Sequence, residues 1–326
     1  MNYRHLSILE REAISKMLSS GLKASEIAVL LNRSRGTISR ELKRNRDEGT
    51  KGRYFATVAQ KLYVDRRRAS KVSQPRKLDD GQLRSFVRRK LRQQWSPEQI
   101  SGRLKVEQPL GDRRVSHQTI YDFVRSDKLS GGDLHKHLRQ SGKIRRKKYG
   151  SSLKKYRVQN RTMIAECPKV ANQRHRLGDW EGDTIVGKNH EGCFLTQVDR
   201  KSRYLLAAKL KDRTSLSVNQ AIINHLIELP RDFRRTLTVD NGTEFTRFDQ
   251  LEKRLGLKVY FAHPYHSWER GTNENTNELI RQYFKKSENL NKVSHQQLAG
   301  VVKKLNNRPR KCLNFKTPRE VLFSTD

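Results

Sequence analysis

The chain has no apolar run approaching the roughly 18 residues a membrane span requires. Its opening, MNYRHLSILERE, lacks the apolar core of a signal peptide. Cysteine is scarce: Cys167, Cys193 and Cys312 stand far apart and are odd in number. They make no disulfide framework and point to a reducing, cytosolic compartment. Zinc-ligand spacing is missing as well. His263 and His266 lie three apart in AHPYHSW without further soft ligands and read as structural. Acids are few, 34 Asp and Glu against 70 Lys and Arg in 326 residues, for a formal charge of +36. Such a polycation calls for a polyanionic partner, nucleic acid first, with a ribosomal-type binder or a membrane-surface protein as the plainer alternatives.

Hydrophobic residues make up 34% and charged residues 32%, so the chain is polar but not purely disordered. Its length allows two or three domains and at least one sizeable core. Residues 1–150 hold 37 Lys and Arg against 15 Asp and Glu, and residues 151–326 hold 33 against 19. The first part is therefore the main electrostatic footprint, while the second keeps acids that need a reason.

The first stretch, 1–46, reads as three short helices. Ser7 and Glu10 make a capping box for a helix to about Leu18. A second helix covers about Ala24–Leu31, Asn32-Arg33-Ser34 turns the chain, and a third spans about Arg35–Arg44. The third presents Arg35, Thr37, Ser39 and Arg40 outward while Ile38 and Leu42 face inward. Short helix, short turn, basic polar helix is the helix-turn-helix pattern, suited to base edges and phosphates. A small bundle with a solvated basic face is the bland alternative. Residues 47–90 read as a basic helical linker. In 91–140 a second helix-turn-helix-like domain is expected: Ser96-Pro97-Glu98-Gln99 starts one helix, and Ser116 caps another that offers His117, Gln118 and Thr119. Residues 141–174, rich in Lys, Arg, Gly and Ser, are a basic linker.

From about residue 175 the texture changes. Strands are expected from Asp183, over Cys193–Val198 and Tyr204–Leu210, then at Thr236–Val239 and Lys258–Ala262. Helices are expected over Leu216–Leu229, Asp249–Leu255, from Gly271 to about Phe284, and over Ser294–Asn307. The order implies an α/β domain over 175–326 with a mixed sheet flanked by helices. Three carboxylates stand out in it: Asp183 in WEGDTIVG, Asp240 in TLTVDNGTEF and Glu274 in ERGTNENTNELIRQYF. Strand ends would bring Asp183 and Asp240 together, and Glu274 would enter from a covering helix. Three converging carboxylates are oxygen-only ligands suited to Mg2+, with Mn2+ substituting. Two such ions clamp the attacking and leaving oxygens of an in-line displacement on a phosphodiester. Asp179, Glu181, Glu244, Glu269 and Glu278 compete for these roles, and the first two share a strand face with Asp183.

The strings HRLGDWEGDTIVG, TVDNGTEF and PYHSWERGTNENTNELIRQYF, in this order, resemble the bacterial transposases of the insertion-sequence-thirty family. LEREAISKMLSSGLKASEIAVLLNRSRGTISRELKRN and WSPEQISGRL…VSHQTIYDFV look like that family's two helix-turn-helix regions. The resemblance covers most of the chain and extends to the retroviral integrase core. It implies a ribonuclease-H-like fold and an Asp-Asp-Glu triad that falls on Asp183, Asp240 and Glu274. It also implies cleavage at element ends and direct attack by a freed 3′ hydroxyl. Where such chains continue into Phe-Pro-Lys, this one reads Tyr283-Phe284-Lys285-Lys286 and lacks the proline.

Around the triad, Asn241 and Asn275 are candidates to hold metal-bound water or DNA. Trp268 is a candidate to stack on a base or sugar, or else to anchor its loop. Arg270, Arg281, Lys285 and Lys286 are expected to face phosphate. The leading expectation is a DNA transposase that binds terminal inverted repeats and carries out metal-dependent cleavage and strand transfer. The alternatives are a non-catalytic DNA-binding regulator and a structure-selective nuclease. Joining two ends implies an even-numbered homo-oligomer on double-stranded DNA, in the cytoplasm and on the nucleoid.

Overall fold

The computed structural model describes residues 5–45, 52–72, 77–107, 109–139, 161–264 and 266–324. Of the basic linker expected over 141–174, residues 141–160 lie outside them. The chain divides into two compact units, 1–79 and 80–326.

The first unit is helical: α1 (Ile8–Ser19), α2 (Ala24–Leu30), α3 (Arg35–Asn45) and α4 (Ala56–Val72). Ser7 and Glu10 form the expected capping box, with Glu10 N–H donating to Ser7 Oγ at 3.2 Å and Ser7 N–H to Glu10 Oε2 at 2.7 Å. Asn32 takes a left-handed φ of 48° between α2 and α3, a conformation asparagine tolerates, and this makes the tight turn. Ile14, Ile27, Ile38, Leu42 and Ala59 close a common core. Arg11 is buried at its centre, donating to Glu41 (2.7 Å), to the Leu6 carbonyl (2.8 Å) and to Gln60 (2.6 Å), and so ties α1, α3 and α4. Part of the segment read as a linker is thus α4, a helix of this unit with Ala59 in its core.

The second unit opens with α5 (Gly81–Arg92), α6 (Pro97–Glu107), the short β1 (Pro109–Asp112) and α7 (His117–Leu129). Ser96 and Ser116 cap α6 and α7 as expected. These helices rest against the C-terminal end of the chain. Arg103, almost fully buried, donates to the Phe315 carbonyl at 3.0 Å and to Glu320 Oε2 at 2.8 Å. Gly102 lies so close under the Phe315 ring that a β-carbon would collide with it.

After α8 (Lys169–Asn172) come β2 (Asp179–Val186), β3 (Cys193–Asp199), β4 (Leu205–Leu210), α9 (Ser215–Ile227), β5 (Thr236–Val239), α10 (Phe248–Leu255), β6 (Lys258–Phe261), α11 (Gly271–Ile280), α12 (His295–Asn306) and α13 (Pro318–Phe323). The sheet order is β4-β3-β2-β5-β6. β2 and β3 and β3 and β4 are antiparallel, whereas β2 and β5 and β5 and β6 are parallel. β2 is therefore central and β5 its neighbour. One face packs Trp180, Leu195 and Leu237 against Ile222 and Leu226 of α9 and Leu251 of α10. The other packs Ile185, Phe194 and Val198 against Leu279 and Ile280 of α11 and Leu298 and Leu305 of α12. The result is a mixed sheet between two helical layers. β2 begins four residues earlier than expected because its first acids, Asp179 and Glu181, are buried rather than solvated. α11 stops at Ile280 instead of near Phe284, its last carbonyls taken by the Arg281 and Gln282 backbone N–H groups.

Candidate active site

The period-two alternation of β2 puts Asp179, Glu181, Asp183 and Ile185 on the face covered by α11. The acids along this line have different fates. Asp179 is buried and paired with Arg176, Nε to Oδ2 at 2.9 Å. Glu181 is buried, accepting from Arg200 Nε at 3.0 Å and from the Asn273 backbone N–H at 2.8 Å. Asp183, nearest the open end of the strand, is half-buried. Its Oδ1 accepts the Thr184 N–H at 2.8 Å and its Oδ2 accepts the Asn277 side-chain amide at 3.0 Å. Asp240 follows β5 directly, on the strand parallel to β2, and its Oδ1 accepts the Gly242 N–H at 2.9 Å.

One guanidinium joins the two aspartates. Arg270 Nη1 stands 3.5 Å from Asp183 Oδ1, and Nη2 stands 3.4 Å from Asp240 Oδ2. Nη1 also donates to the Gly182 carbonyl at 3.3 Å. Burial pushes the Asp183 carboxyl above the usual carboxylate range, Arg270 opposes the rise, and the charge of Asp240 adds to it. A second arginine lies beside this pair. Arg161 holds Asn241 Oδ1 at 2.5 Å, with its guanidinium 4.5 Å from the centre of the Phe261 ring. Burial lowers its pKa and Asp240 raises it again, while its Nε and Nη2 are buried without a hydrogen-bond partner.

Glu274 lies in the first turn of α11, on the solvent side. The helix is set against the sheet by two asparagines four apart. Asn273 donates to the Glu181 carbonyl at 3.0 Å and the Thr196 carbonyl at 3.3 Å, and Thr196 Oγ1 is 3.1 Å from Asn273 Oδ1 and 2.9 Å from Asn277 Oδ1. Glu274 is three residues before Asn277, one turn along the same side of the helix, and Asn277 touches Asp183. The fold thus brings Asp183 and Asp240 into contact with one cation, and puts Glu274 on the helix anchored beside them.

The competing acids have structural partners. Glu244 is buried and accepts from Thr184 Oγ1 at 3.0 Å and Arg213 Nε at 2.9 Å. Glu278 pairs with Arg139 at 3.1 Å, and Glu269 pairs with His263 at 2.8 Å. Asn241, read as a holder of water or DNA, uses its carboxamide at both ends, on Arg161 and on the Ala262 carbonyl (2.7 Å). Arg281, expected to face phosphate, donates to the Val186 carbonyl at 2.7 Å and so pins α11 to the end of β2. Asn275 and Trp268 are exposed, the tryptophan 69% so. Sequence reasoning missed Asn273 and Asn277, although their spacing of four in NENTN places both on one helical face. It also missed the bridging role of Arg270.

In the first unit Arg35, Ser39 and Arg40 are exposed on α3, while Thr37 Oγ1 lies 2.8 Å from Ser34 Oγ at the helix start. A cleft of about 260 Å³ runs between α3 and α4, lined by Thr37, Arg40, Arg44, Arg66, Arg67 and Ser70 among others. Arg66 donates to Asn45 Oδ1 at 2.5 Å and Arg67 to the Tyr63 hydroxyl at 2.9 Å, both neutral acceptors that leave the guanidinium charge in place. On α7, His117 and Gln118 are exposed and Thr119 is half-buried at the Ser116 cap.

A helix-turn-helix domain family matches residues 2–45, and an integrase core domain family matches residues 173–267. The chain is 38% identical to the transposase for insertion sequence element IS4351 of Bacteroides fragilis, over 97% of this chain and 95% of that one. It is 41% identical to the transposase InsI for insertion sequence element IS30A of Escherichia coli K12, over 98% of this chain and 83% of that one. The chain belongs to the insertion-sequence-thirty family of transposases. The transposase therefore acts in DNA transposition, and its second unit carries a ribonuclease-H-like integrase core of the polynucleotidyl transferase superfamily. A solved likeness is the catalytic core domain of BIV integrase, 23% identical over 44% of this chain and 92% of that one, with a TM-score of 0.35. Among the described residues no helix is long and apolar enough to cross a membrane.

Proposed function

We propose that Asp183, Asp240 and Glu274 are the catalytic triad and hold two divalent ions, Mg2+ with Mn2+ able to substitute. The observation that supports this reading is the shared cation: two carboxylates from segments far apart in sequence lie within 3.5 Å of one guanidinium. A half-buried aspartate pushed toward protonation beside a second aspartate favours positive charge between them. The donors are all oxygen, which suits a hard cation. When bound, the ions supply Lewis-acid stabilisation to the attacking and leaving oxygens of a phosphodiester. The chain's own residues do the rest. Asn277 orients Asp183, the Gly242 N–H orients Asp240, and Asn273 sets the helix that carries Glu274.

The substrate is double-stranded DNA bearing the element's terminal inverted repeats, then target DNA. Arg35, Thr37, Ser39 and Arg40 of α3 read the repeat, with His117, Gln118 and Thr119 as a second reading surface on α7 and Trp268 stacking near the reacting strand. The domain division proposed is a helix-turn-helix unit that extends through α4 to residue 79, a second helix-turn-helix-like region from α5 to about residue 140, and the catalytic domain over 175–326. Pairing of two ends requires a homo-oligomer of even number.

The experiment incubates the transposase with end-containing DNA and Mg2+. Wild type is expected to nick and join. D183N and D240N are expected to lose both activities by at least about a thousandfold while end binding survives, since the ions' charge stabilisation is removed and the reading helices are untouched. Joining by D240N at the wild-type rate would overturn the assignment.

A further inference from the structure

We propose a second metal site of different chemistry in the loop between β6 and α11: His263, His266 and Glu269 form a three-ligand site for a borderline cation of the Zn2+ class. One ligand atom from each of the three lies within 4.8 Å of the others. His263 Nδ1 is 2.8 Å from Glu269 Oε1, and His266 Nδ1 is 3.4 Å from the same oxygen. An ion pair needs one imidazole, yet two converge on a single carboxylate oxygen. As a hydrogen-bonded cluster, this arrangement requires a proton on both Nδ1 atoms. A divalent cation at the point of convergence takes the place of those protons and accepts three lone pairs at once.

The ligands are oriented from outside the site, as metal ligands are. Glu269 Oε2 accepts the His263 backbone N–H at 2.7 Å, which fixes the carboxylate. The His266 ring stacks on Trp268, centroids 4.4 Å apart and planes 27° from parallel. Two imidazole nitrogens and one carboxylate oxygen suit Zn2+ and disfavour Mg2+. The His263 and His266 side chains are 36% and 44% exposed, so water completes the coordination. All three ligands lie within seven residues, and the next residue is Arg270, the cation shared by Asp183 and Asp240. A metal here would stiffen the loop that carries that arginine.

The test titrates the full chain with Zn2+ against a chromophoric chelator, with Mg2+ in large excess to fill hard oxygen sites. The expected result is one Zn2+ withheld from the chelator per chain. H266A, which leaves the 2.8 Å His263–Glu269 contact and hence the loop tie in place, is expected to weaken Zn2+ binding on the order of tenfold or more. H263A is expected to do the same, and D240N to leave it unchanged. Co2+ in place of Zn2+ should give visible d–d absorption in wild type that H266A loses. Wild type withholding no Zn2+, or H263A/H266A holding it as tightly as wild type, overturns the site. A loss in D240N as large as in H266A also overturns it, by assigning the ion to the acidic cluster.

Discussion

The guanidinium of Arg270 lies 3.4 Å from the carboxylate of Asp240, and its other terminal nitrogen lies 3.5 Å from Asp183. It occupies the position between two acids where a metal would draw its ligands together. The arginine keeps like charges from repelling each other in a partly dry setting, and under the proposed assignment it would have to yield that place to a divalent ion. Its Nε is buried without a hydrogen-bond partner, so the side chain is held by its tip alone.

Removing this competitor should tighten metal binding. R270Q is expected to raise Mn2+ affinity about five- to tenfold, on the order of 1 kcal/mol, measured by the free Mn2+ electron paramagnetic resonance signal. Adding D240N to R270Q should reverse the gain. Unchanged or weaker Mn2+ binding in R270Q would mean that the arginine does not contend with the ion.

Much of this was legible in the sequence, and what was not has physical reasons. The Thr236–Val239 strand and the Ser7, Ser96 and Ser116 caps are readable because β-branched runs and capping pairs are local signals. β2 was read short because buried Asp179 and Glu181 look solvated until Arg176 and Arg200, set by tertiary structure, are seen to neutralise them. Arg281 and Arg270 were both assigned to phosphate. A string does not reveal that one meets the Val186 carbonyl and the other two aspartates. In the sequence His263 and His266 read as a pair without further soft ligands, and Glu269, three residues on, reads as one more competitor for the triad. The stretch holding α4 reads as a helical linker rather than as part of the first unit, because Ala56 and Ala59, which it buries, are too small to mark an apolar stripe.

Asn273 predicts a stability cost out of proportion to its size. It is fully buried and holds the carbonyls of Glu181 and Thr196. N273A strands both acceptors and is expected to cost about 2–3 kcal/mol in urea unfolding. N275A, on the exposed side of the same helix, should be neutral within about 0.5 kcal/mol. Because Glu274 follows Asn273 directly, N273A should also slow strand joining more than it weakens end binding. Equal stability of the two variants would deny Asn273 its anchoring role.

His225 predicts a pH dependence. Burial lowers its pKa from 6.5 to about 4, with Nδ1 2.6 Å from Gln197 Oε1 in the α9 layer. The unfolded chain therefore binds a proton that the folded chain refuses between about pH 6.5 and 4. Its contribution is present above pH 6.5, falls as pH drops through that window, and changes no further below about 4. The full loss is at most about 3 kcal/mol. H225Q should lack this component, so the wild-type and H225Q unfolding free energies should converge on acidification. Parallel curves for the two proteins would show that His225 does not titrate with unfolding.

The cleft between α3 and α4 predicts a change in salt dependence. Arg66 and Arg67 are held by the neutral Asn45 and Tyr63 side chains, so folding fixes their direction without cancelling their charge. Each phosphate neutralised by a protein cation contributes roughly 0.9 to the slope of log affinity against log salt. R66A/R67A should therefore flatten the slope for end-containing DNA by nearly two, and weaken random duplex by a similar factor. S39A on α3 should instead change the ratio of specific to random binding and leave the slope unaltered, because a hydroxyl releases no counterion. An unchanged slope in R66A/R67A would mean that α4 stands clear of the backbone and that the first unit holds DNA through α3 alone.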